Sequence, residues 1–87
     1  MHAVVVKVTL HDREAAQSML NAQVVPRVSQ SPGFVAGYWT WKDNTGVSMV
    51  IFESEDDANG MSEQVRSMVN DSVTIEDVEV REVVAHA

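Results

Sequence analysis

The stretch FVAGYWTWKDNTGVSMVIFE, residues 34–53, decides the fold because it holds two strand patterns separated by a turn. Phe34–Lys42 alternates from face to face as a β-strand does, and Val47–Glu53 is a second run rich in apolar residues. The intervening Asp43–Gly46 contains Asn and Gly, which adopt positive φ readily in a tight turn. We therefore predict a β-hairpin whose two strands are antiparallel neighbours.

A strand and a helix precede the hairpin. His2–Leu10 is apolar on both faces of a period-2 ribbon, with Lys7 and Thr9 as polar exceptions, so we expect it to be covered on both sides. Asp12 is a suitable N-cap for the helix that follows. Apolar residues recur at helical spacing in that helix, at Ala15, Ala16, Met19, Leu20 and Val24.

Pro26 should break or kink this first helix, because proline cannot donate a hydrogen bond to the preceding turn. Arg27–Gln30 fits one more short turn, and Ser31–Gly33 fits a loop that ends the element. We therefore expect the helix to reach the hairpin in two pieces.

After the hairpin, Ser54 followed by Asp57 resembles a capping box, and Glu55 and Asp56 lie where the helix dipole favours anions. A second helix is thus predicted to begin here, with Gly60 inside it at a cost of about 1 kcal/mol relative to alanine. Its buried stripe is expected at Ala58, Met61, Val65, Met68 and Val69.

The last strand pattern is Val73–Ala87, which is long for so small a chain. The apolar residues before Glu76 and Asp77 have one parity and those after them have the other, so we predict a bulge or loop at this point. Val83–Ala87 is apolar to the end, and we expect it to be buried.

The order strand, helix, strand, strand, helix, strand fills residues 1–87, which we expect to form a single domain. It predicts an α+β fold in which a small sheet has both helices on one face. The other face would then expose more apolar surface than a monomer usually does. We therefore predict a homodimer, with Val83–Ala87 at the subunit interface.

The charge and composition exclude several classes of function. The chain has 13 acidic and 6 basic residues, a formal charge of -7, which disfavours nucleic acid and anionic membranes as partners. No apolar run approaches the ~20 residues of a membrane span, and the first residues lack the features of a signal peptide. Cysteine is absent, which excludes thiolate nucleophiles and Cys-ligated zinc. We expect a cytoplasmic protein.

A metal site is not predicted either. His2, His11 and His86 are the only histidines, and they are scattered along the chain. The acidic run Glu53–Asp57 lacks the alternating ligands and the glycine turn of a calcium loop, and helix capping explains it better.

Short motifs in three places resemble one family. Pro32–Phe34 closes the first helix, Gly37–Trp39 lies in the second strand, and Val50–Glu55 opens the second helix. In these motifs the chain resembles the antibiotic biosynthesis monooxygenase-like proteins of the dimeric α/β-barrel superfamily. The resemblance implies a ferredoxin-like βαββαβ protomer with a four-stranded antiparallel sheet. It also implies that two such sheets pack face to face, forming a barrel with the helices outside.

The resemblance also implies possible activities. Catalytic relatives include cofactor-independent oxygenases of aromatic polyketides and haem-degrading enzymes. This chain has Phe52 where many relatives have tryptophan, no histidine in the second helix (Ser54–Val69), and no asparagine in the first strand. These departures argue against haem, and no cofactor is predicted.

Tyr38, Trp39 and Trp41 concentrate the aromatic residues on one strand. Trp39 and Trp41 share a face, and we predict that they line the barrel cavity as a wall for a flat apolar ligand, while Tyr38 packs under the helices. If the indoles pack against the helices instead, Tyr38 becomes the candidate ligand contact. The alternative for all three is core packing and subunit contact, which also favour Trp and Tyr.

Lys7 is a polar residue in an otherwise apolar strand. We predict that it offers a polar contact to the ligand. The other interpretation is an ion pair with Glu79 or Glu82, if the first and last strands are neighbours.

Two classes of function follow from these residues. The first is a small homodimer that binds a small planar apolar molecule, or oxidises it without a cofactor. The second is a non-catalytic dimer that acts as a structural or accessory module.

Overall fold

The computed structural model describes residues 1–67 and 71–87 of the chain. It confirms the predicted α+β fold, a four-stranded antiparallel sheet with the helices on one face. Met68 and Val69, which were predicted in the buried stripe of the second helix, lie outside the described residues. In chain order the elements are β1 (His2–Leu10), α1 (Arg13–Met19), a π-helical turn (Leu20–Val24), α2 (Val25–Ser29), β2 (Phe34–Lys42), β3 (Thr45–Phe52), α3 (Glu55–Ser67) and β4 (Val73–Glu82).

The sheet has the strand order β2-β3-β1-β4, and each neighbouring pair is antiparallel. Val4 marks the register, since its Cα partners are Val50 on β3 and Val80 on β4. β1 and β3 are therefore central, whereas β2 and β4 are edges. A central position suits β1, whose residues are apolar on both faces.

The core lies between one face of the sheet and the helices. Val4 and Phe52 are fully buried there, and Phe52 meets Phe34 edge to face with the ring centroids 6.3 Å apart. The other members of the buried cluster are Val6, Val28, Val50, Ala58 and Met61. Burial of each large side chain contributes roughly 1.5–3 kcal/mol to the stability of the fold.

Pro26 does not break the first helix. Asp12 caps this helix as predicted, because its Oδ1 accepts a hydrogen bond from the Ala15 N–H at 3.0 Å. The backbone then passes through the π-helical turn in the right-handed helical region, and the Val25 N–H bonds to the Leu20 carbonyl. Pro26 thereby falls in the first turn of α2, directly after the π-helical turn. The wider turn thus joins the two predicted pieces.

The hairpin is tighter than predicted. Lys42 pairs with Thr45, so the turn consists of Asp43 and Asn44, and the positive φ of 56° belongs to Asp43. Aspartate tolerates this conformation because its short side chain can bond locally. Gly46, predicted as a turn residue, is instead a buried position of β3.

Ser54 caps α3 as predicted. Its hydroxyl accepts a hydrogen bond from the Asp57 N–H at 3.1 Å and lies 2.9 Å from the Asp57 carboxylate, to which it donates. Ala58 and Met61 face the core, whereas Gly60 is exposed and a Cβ added there would meet nothing within 4 Å. With 13 residues, α3 is the longest described helix, and no described helix is long and apolar enough to cross a membrane.

The predicted parity slip in β4 is confirmed. Lys7 pairs with Asp77 and Val8 pairs with Ile75, so Glu76 is an extra residue on β4. This bulge lets apolar residues on either side of it face the same core.

The last strand is shorter than predicted, because β4 ends at Glu82. Beyond it, Val83 donates a backbone hydrogen bond to the Met1 carbonyl at 3.0 Å, and Val84 is 86% exposed. The strand stops here because its neighbour β1 has reached its own first residues. Within one chain, the C-terminal tail (residues 83–87) is therefore largely exposed, and its place in a subunit interface stays a prediction.

Candidate functional site

Trp39 and Trp41 lie on the helix-covered face of the sheet. Trp39 pairs with Ser48, and Ser48 pairs with Val6 in the buried row of β1, which fixes the face. Tyr38 lies on the other face and is 67% exposed. The prediction that the indoles line a barrel interior while Tyr38 packs under the helices is therefore wrong.

A β-bulge in β2 explains this reversal. The register of β2 against β3 shifts between Phe34 and Ala36, so Val35 is an extra residue in β2. Phe34 and Tyr38 consequently point to opposite faces, although an unbroken strand would place them on the same one.

A cavity of about 120 Å³ lies between the sheet and the helices, and Trp39 and Trp41 both line it. The residues that line it are uncharged and nearly all apolar. The lining residues are Val4, Val6, Val8, Leu10, Ala16, Leu20, Val24, Val28, Trp39, Thr40, Trp41, Gly46, Val47, Ser48, Val50, Met61, Val65, Val73 and Ile75. The sheet forms one wall of this cavity, and the helices together with the π-helical turn form the other.

Two glycines let the indoles lie close to the sheet. A Cβ on Gly37 would be 2.9 Å from Cη2 of Trp39, and a Cβ on Gly46 would be 2.8 Å from Cδ1 of Trp41. Both distances are shorter than real Cβ contacts, so a larger residue at either position would displace an indole. The shape of the cavity therefore depends on these two glycines.

Arg13, the first residue of α1, covers Trp41. Its Cζ lies 5.6 Å from the centroid of the indole, within the range of a cation–π interaction. Arg13 is exposed and does not line the cavity, so its charge remains in contact with solvent. Trp41 is thus in contact with Gly46 on the sheet and with Arg13 on the helix.

Ser48 is the polar exception among the side chains on the sheet wall. It is half-buried between its Cα partners, Val6 on β1 and Trp39 on β2. Within residues 1–67 and 71–87, its hydroxyl has no hydrogen-bond partner. The side chain of Thr40 lies on the opposite face of the sheet from Trp39 and Trp41, and its hydroxyl donates to the Val47 carbonyl at 2.6 Å.

Lys7 and Tyr38 are not brought to the cavity. Both lie on the open face, by which we mean the face of the sheet that the helices do not cover. Among the described residues, Lys7 forms no ion pair with Glu79 or Glu82. Its Cα partner on β4 is Asp77, and Glu79 pairs with Arg81, at 2.6 Å between Oε2 and Nη2. The predicted ion pair of Lys7 is therefore not formed within the chain.

The open face carries an apolar strip, formed by Tyr38, Met49 and Val5, which are direct neighbours across β2, β3 and β1. Val47 and Ile51 extend the strip along β3. Met49 and Val47 are 45% and 43% exposed, and Tyr38 is more exposed still. The open face is therefore apolar at its centre.

The histidines lie apart from the cavity. Nε2 of His2 is 3.2 Å from Oε2 of Glu55, and Nε2 of His11 is 2.6 Å from Oγ1 of Thr74. In the part of the chain that the structure describes, no three His, Cys, Asp or Glu residues form a group that could hold a metal ion.

Ser48 and the glycine contacts were not predicted from the sequence. A weak signal for both was present in β3, where Gly46 and Ser48 share a face with Val50 and Phe52. Small or polar residues on a face that is otherwise buried indicate a close approach or a cavity.

The comparisons with known proteins come from structure. No model of a known protein family matches the chain, and no curated protein sequence matches it significantly. The crystal structure of MupZ from Pseudomonas fluorescens matches with a TM-score of 0.70 and 13% identity, over 91% of this chain and 69% of MupZ. The haem-degrader MhuD from Mycobacterium tuberculosis, solved with two haems bound in its active site, matches with a TM-score of 0.56 and 17% identity, over 97% and 98% of the two chains. At these identities the likeness concerns the fold alone.

The residues of the cavity do not fit a haem. Haem iron is held by His, Cys, Met or Tyr, and Met61, which is 2% exposed, is the one lining residue of these types. The cavity volume of about 120 Å³ is close to the size that takes one aromatic ring. The porphyrin of a haem is much larger than one ring. The likeness to MhuD therefore does not bring haem chemistry to this cavity.

The fold agrees with the resemblance that the short motifs indicated. The sheet order β2-β3-β1-β4 with the helices on one face is the ferredoxin-like arrangement, and both solved structures match it over more than nine tenths of this chain. The chain therefore has a ferredoxin-like βαββαβ fold, as that resemblance implied.

Proposed function

We propose that this protein binds a small, flat, apolar molecule in the cavity between its sheet and its helices. The observation that carries the proposal is the pair Trp39 and Trp41 on one wall of an uncharged cavity. Indoles offer large flat apolar surfaces, and ligand pockets typically combine such surfaces with few polar groups. A planar ligand would pack against these rings.

The size of the cavity limits the part of the ligand that it encloses to about one ring. A dry cavity of roughly 150 Å³ lined by aliphatic and aromatic side chains takes up benzene in another protein. The cavity here is about 120 Å³. Substituted benzenes are therefore suitable first probes.

We also propose that the chain forms a homodimer through its open face. The apolar strip at the centre of that face supports this, because apolar patches of this kind mark interaction surfaces. A second sheet is a fitting partner, since sheets pack face to face about 10 Å apart. A copy of the same chain supplies such a sheet, and it is the partner that the family resemblance implies.

Titration of ¹⁵N-labelled protein with p-xylene, followed by amide chemical shifts, tests the proposed cavity. We expect shifts in residues around the cavity, and we expect Trp39→Ala and Trp41→Ala each to weaken binding by more than about 1 kcal/mol, roughly fivefold. Tyr38→Ala on the open face is the matched control, and it should leave the affinity unchanged. If Tyr38→Ala weakens binding and the tryptophan variants do not, the ligand lies on the open face and the cavity proposal is wrong.

The non-catalytic dimeric module is the second candidate, and the apolar strip favours it because such a dimer needs no ligand. Sedimentation that shows a dimer, together with amide spectra that no planar probe changes, would favour this function over ligand binding. Cofactor-free oxidation is tested in the same titration, by mass spectrometry of the probe after incubation with protein in air. An oxygenated product formed without any added cofactor is the result that oxidation requires.

A further inference from the structure

We infer that the natural ligand is a neutral aromatic molecule with one hydrogen-bonding oxygen, and that this oxygen pairs with the hydroxyl of Ser48. The inference rests on the proposed function, since it specifies the chemistry of the molecule bound in the same cavity. It assigns to Ser48, a polar uncharged residue, a part in ligand specificity that the aromatic lining residues do not have.

The position of Ser48 is the first observation. It stands in one row across the sheet with Trp39 on β2 and Val6 on β1, facing the cavity. The row therefore places a hydroxyl directly beside an indole. A ring that packs against Trp39 would bring a substituent within reach of this hydroxyl.

The lack of a hydrogen-bond partner for the Ser48 hydroxyl among the described residues is the second observation. Thr40, which lies on the open face, donates its hydroxyl to the Val47 carbonyl at 2.6 Å. The hydroxyl of Ser48 finds no such partner in the ranges 1–67 and 71–87. Ser48 is half-buried and its hydroxyl is not sealed from water, so a ligand that fills the cavity would displace water from it and would gain affinity by supplying the hydrogen-bond partner instead.

The absence of charge among the cavity-lining residues defines the ligand class. A carboxylate or an ammonium group would lose its hydration there without gaining an opposite charge. A hydroxyl can both donate and accept, so it serves a phenol or a ketone equally well. The favoured ligand is therefore a phenol or an aryl ketone rather than an aromatic acid or amine.

The isosteric pair p-cresol and p-xylene tests the inference, because the two molecules differ in a hydroxyl against a methyl group. Affinities of both are measured by amide shift titration for the wild type, Ser48→Ala and Ser48→Thr. We expect Ser48→Ala to lower the affinity for p-cresol about fivefold, as the loss of one hydrogen bond predicts. The affinity for p-xylene should stay unchanged or rise. Ser48→Thr keeps a hydroxyl and should keep most of the affinity for p-cresol.

The control is Ser18→Ala, a change of the same type at an exposed position of α1, which should leave both affinities unchanged. If Ser48→Ala changes both affinities by the same factor, the inference is wrong and the proposed function stands. If p-xylene binds to the wild type and p-cresol does not, the inference is likewise wrong and the proposed function likewise stands. If neither molecule binds to the wild type, the proposed cavity function fails and the inference fails with it.

Discussion

At the scale of single residues, glycine has opposite roles in two parts of the molecule. Gly46 is buried, and a Cβ there would lie 2.8 Å from Cδ1 of Trp41 and 2.9 Å from Cγ2 of Val8. Gly60 is exposed on α3 with free space around it. The first glycine is required by packing, whereas the second weakens its helix with no packing reason in the described residues.

Gly46→Ala should therefore lower the free energy of unfolding by about 1–3 kcal/mol, the usual cost of forcing extra volume into a packed site. Gly60→Ala, the control, should raise it by about 0.5–1 kcal/mol because alanine is the better helix former. Urea denaturation with an unchanged slope measures both. Equal stability of Gly46→Ala and the wild type would contradict the described contact with the indole.

The residues that cap helices were predictable, whereas those that shape the cavity were not. Asp12 and Ser54 act locally, and local patterns in the sequence mark them as N-caps. Gly46 and Ser48 act through neighbours on other strands, Trp41 and Val6 among them. Contacts of this kind depend on strand register, which the sequence of one strand does not specify.

At the scale of elements, the sheet contains two β-bulges, of which one was predicted from the sequence and the other was not. The bulge at Glu76 was predicted because large apolar residues of opposite parity flank it. The bulge at Val35 was not, because the next residues, Ala36 and Gly37, are too small to mark a face. The bounds of β1 and β2 were predicted correctly, but this single extra residue reversed the faces assigned to the aromatic side chains.

The N-cap of α3 gives a prediction at this scale. Ser54→Ala removes the acceptor of the Asp57 N–H, and it should lower the free energy of unfolding by about 1 kcal/mol. Ser62→Ala is the control within the same helix, since within residues 1–67 and 71–87 the Ser62 hydroxyl bonds to the Asn59 carbonyl one turn back and to no other group. It should change stability by less than about 0.5 kcal/mol. Thermal or urea unfolding checks both, and an equal loss in the two variants would show that capping is not the cause.

At the scale of the whole molecule, the two faces of the sheet are divided between two proposed functions. The helix-covered face encloses the cavity, and the open face carries the apolar strip. Because successive side chains of a strand alternate between these faces, a substitution can disturb one function and leave the other intact.

Met49→Glu should separate the proposed dimer into monomers. Met49 lies at the centre of the apolar strip, between Tyr38 and Val5, and a carboxylate buried there between two sheets would lose its hydration and would face the same charge on the second copy. Sedimentation velocity should show a dimer for the wild type at micromolar concentration and a monomer for the variant. Ala22→Glu, an exposed change in the π-helical turn, is the control and should remain dimeric. A wild-type protein that sediments as a stable monomer would refute the proposed dimer.

Deletion of the C-terminal tail (residues 83–87) should weaken the dimer and leave the protomer folded. Within the chain, the tail contributes the backbone hydrogen bond from Val83 to the Met1 carbonyl, and Val84 packs little because it is mostly exposed. In an interface the same two valines would bury apolar area worth roughly 1.5–3 kcal/mol each. The dimer dissociation constant, measured by sedimentation equilibrium, should rise while the amide spectrum keeps its dispersion. An unchanged constant would place the tail outside the interface.

The division between the faces also extends to the chromophores of the protein. The chain has two tryptophans and one tyrosine. Both tryptophans border the cavity, and the tyrosine stands on the open face. Indole emission therefore senses the polarity of the cavity, whereas the near-ultraviolet absorption of the phenol senses whatever covers the other side. Each surface therefore has an intrinsic optical probe. Ligand binding in the cavity should change the indole emission, and dimer formation should change the phenol absorption, without an added dye.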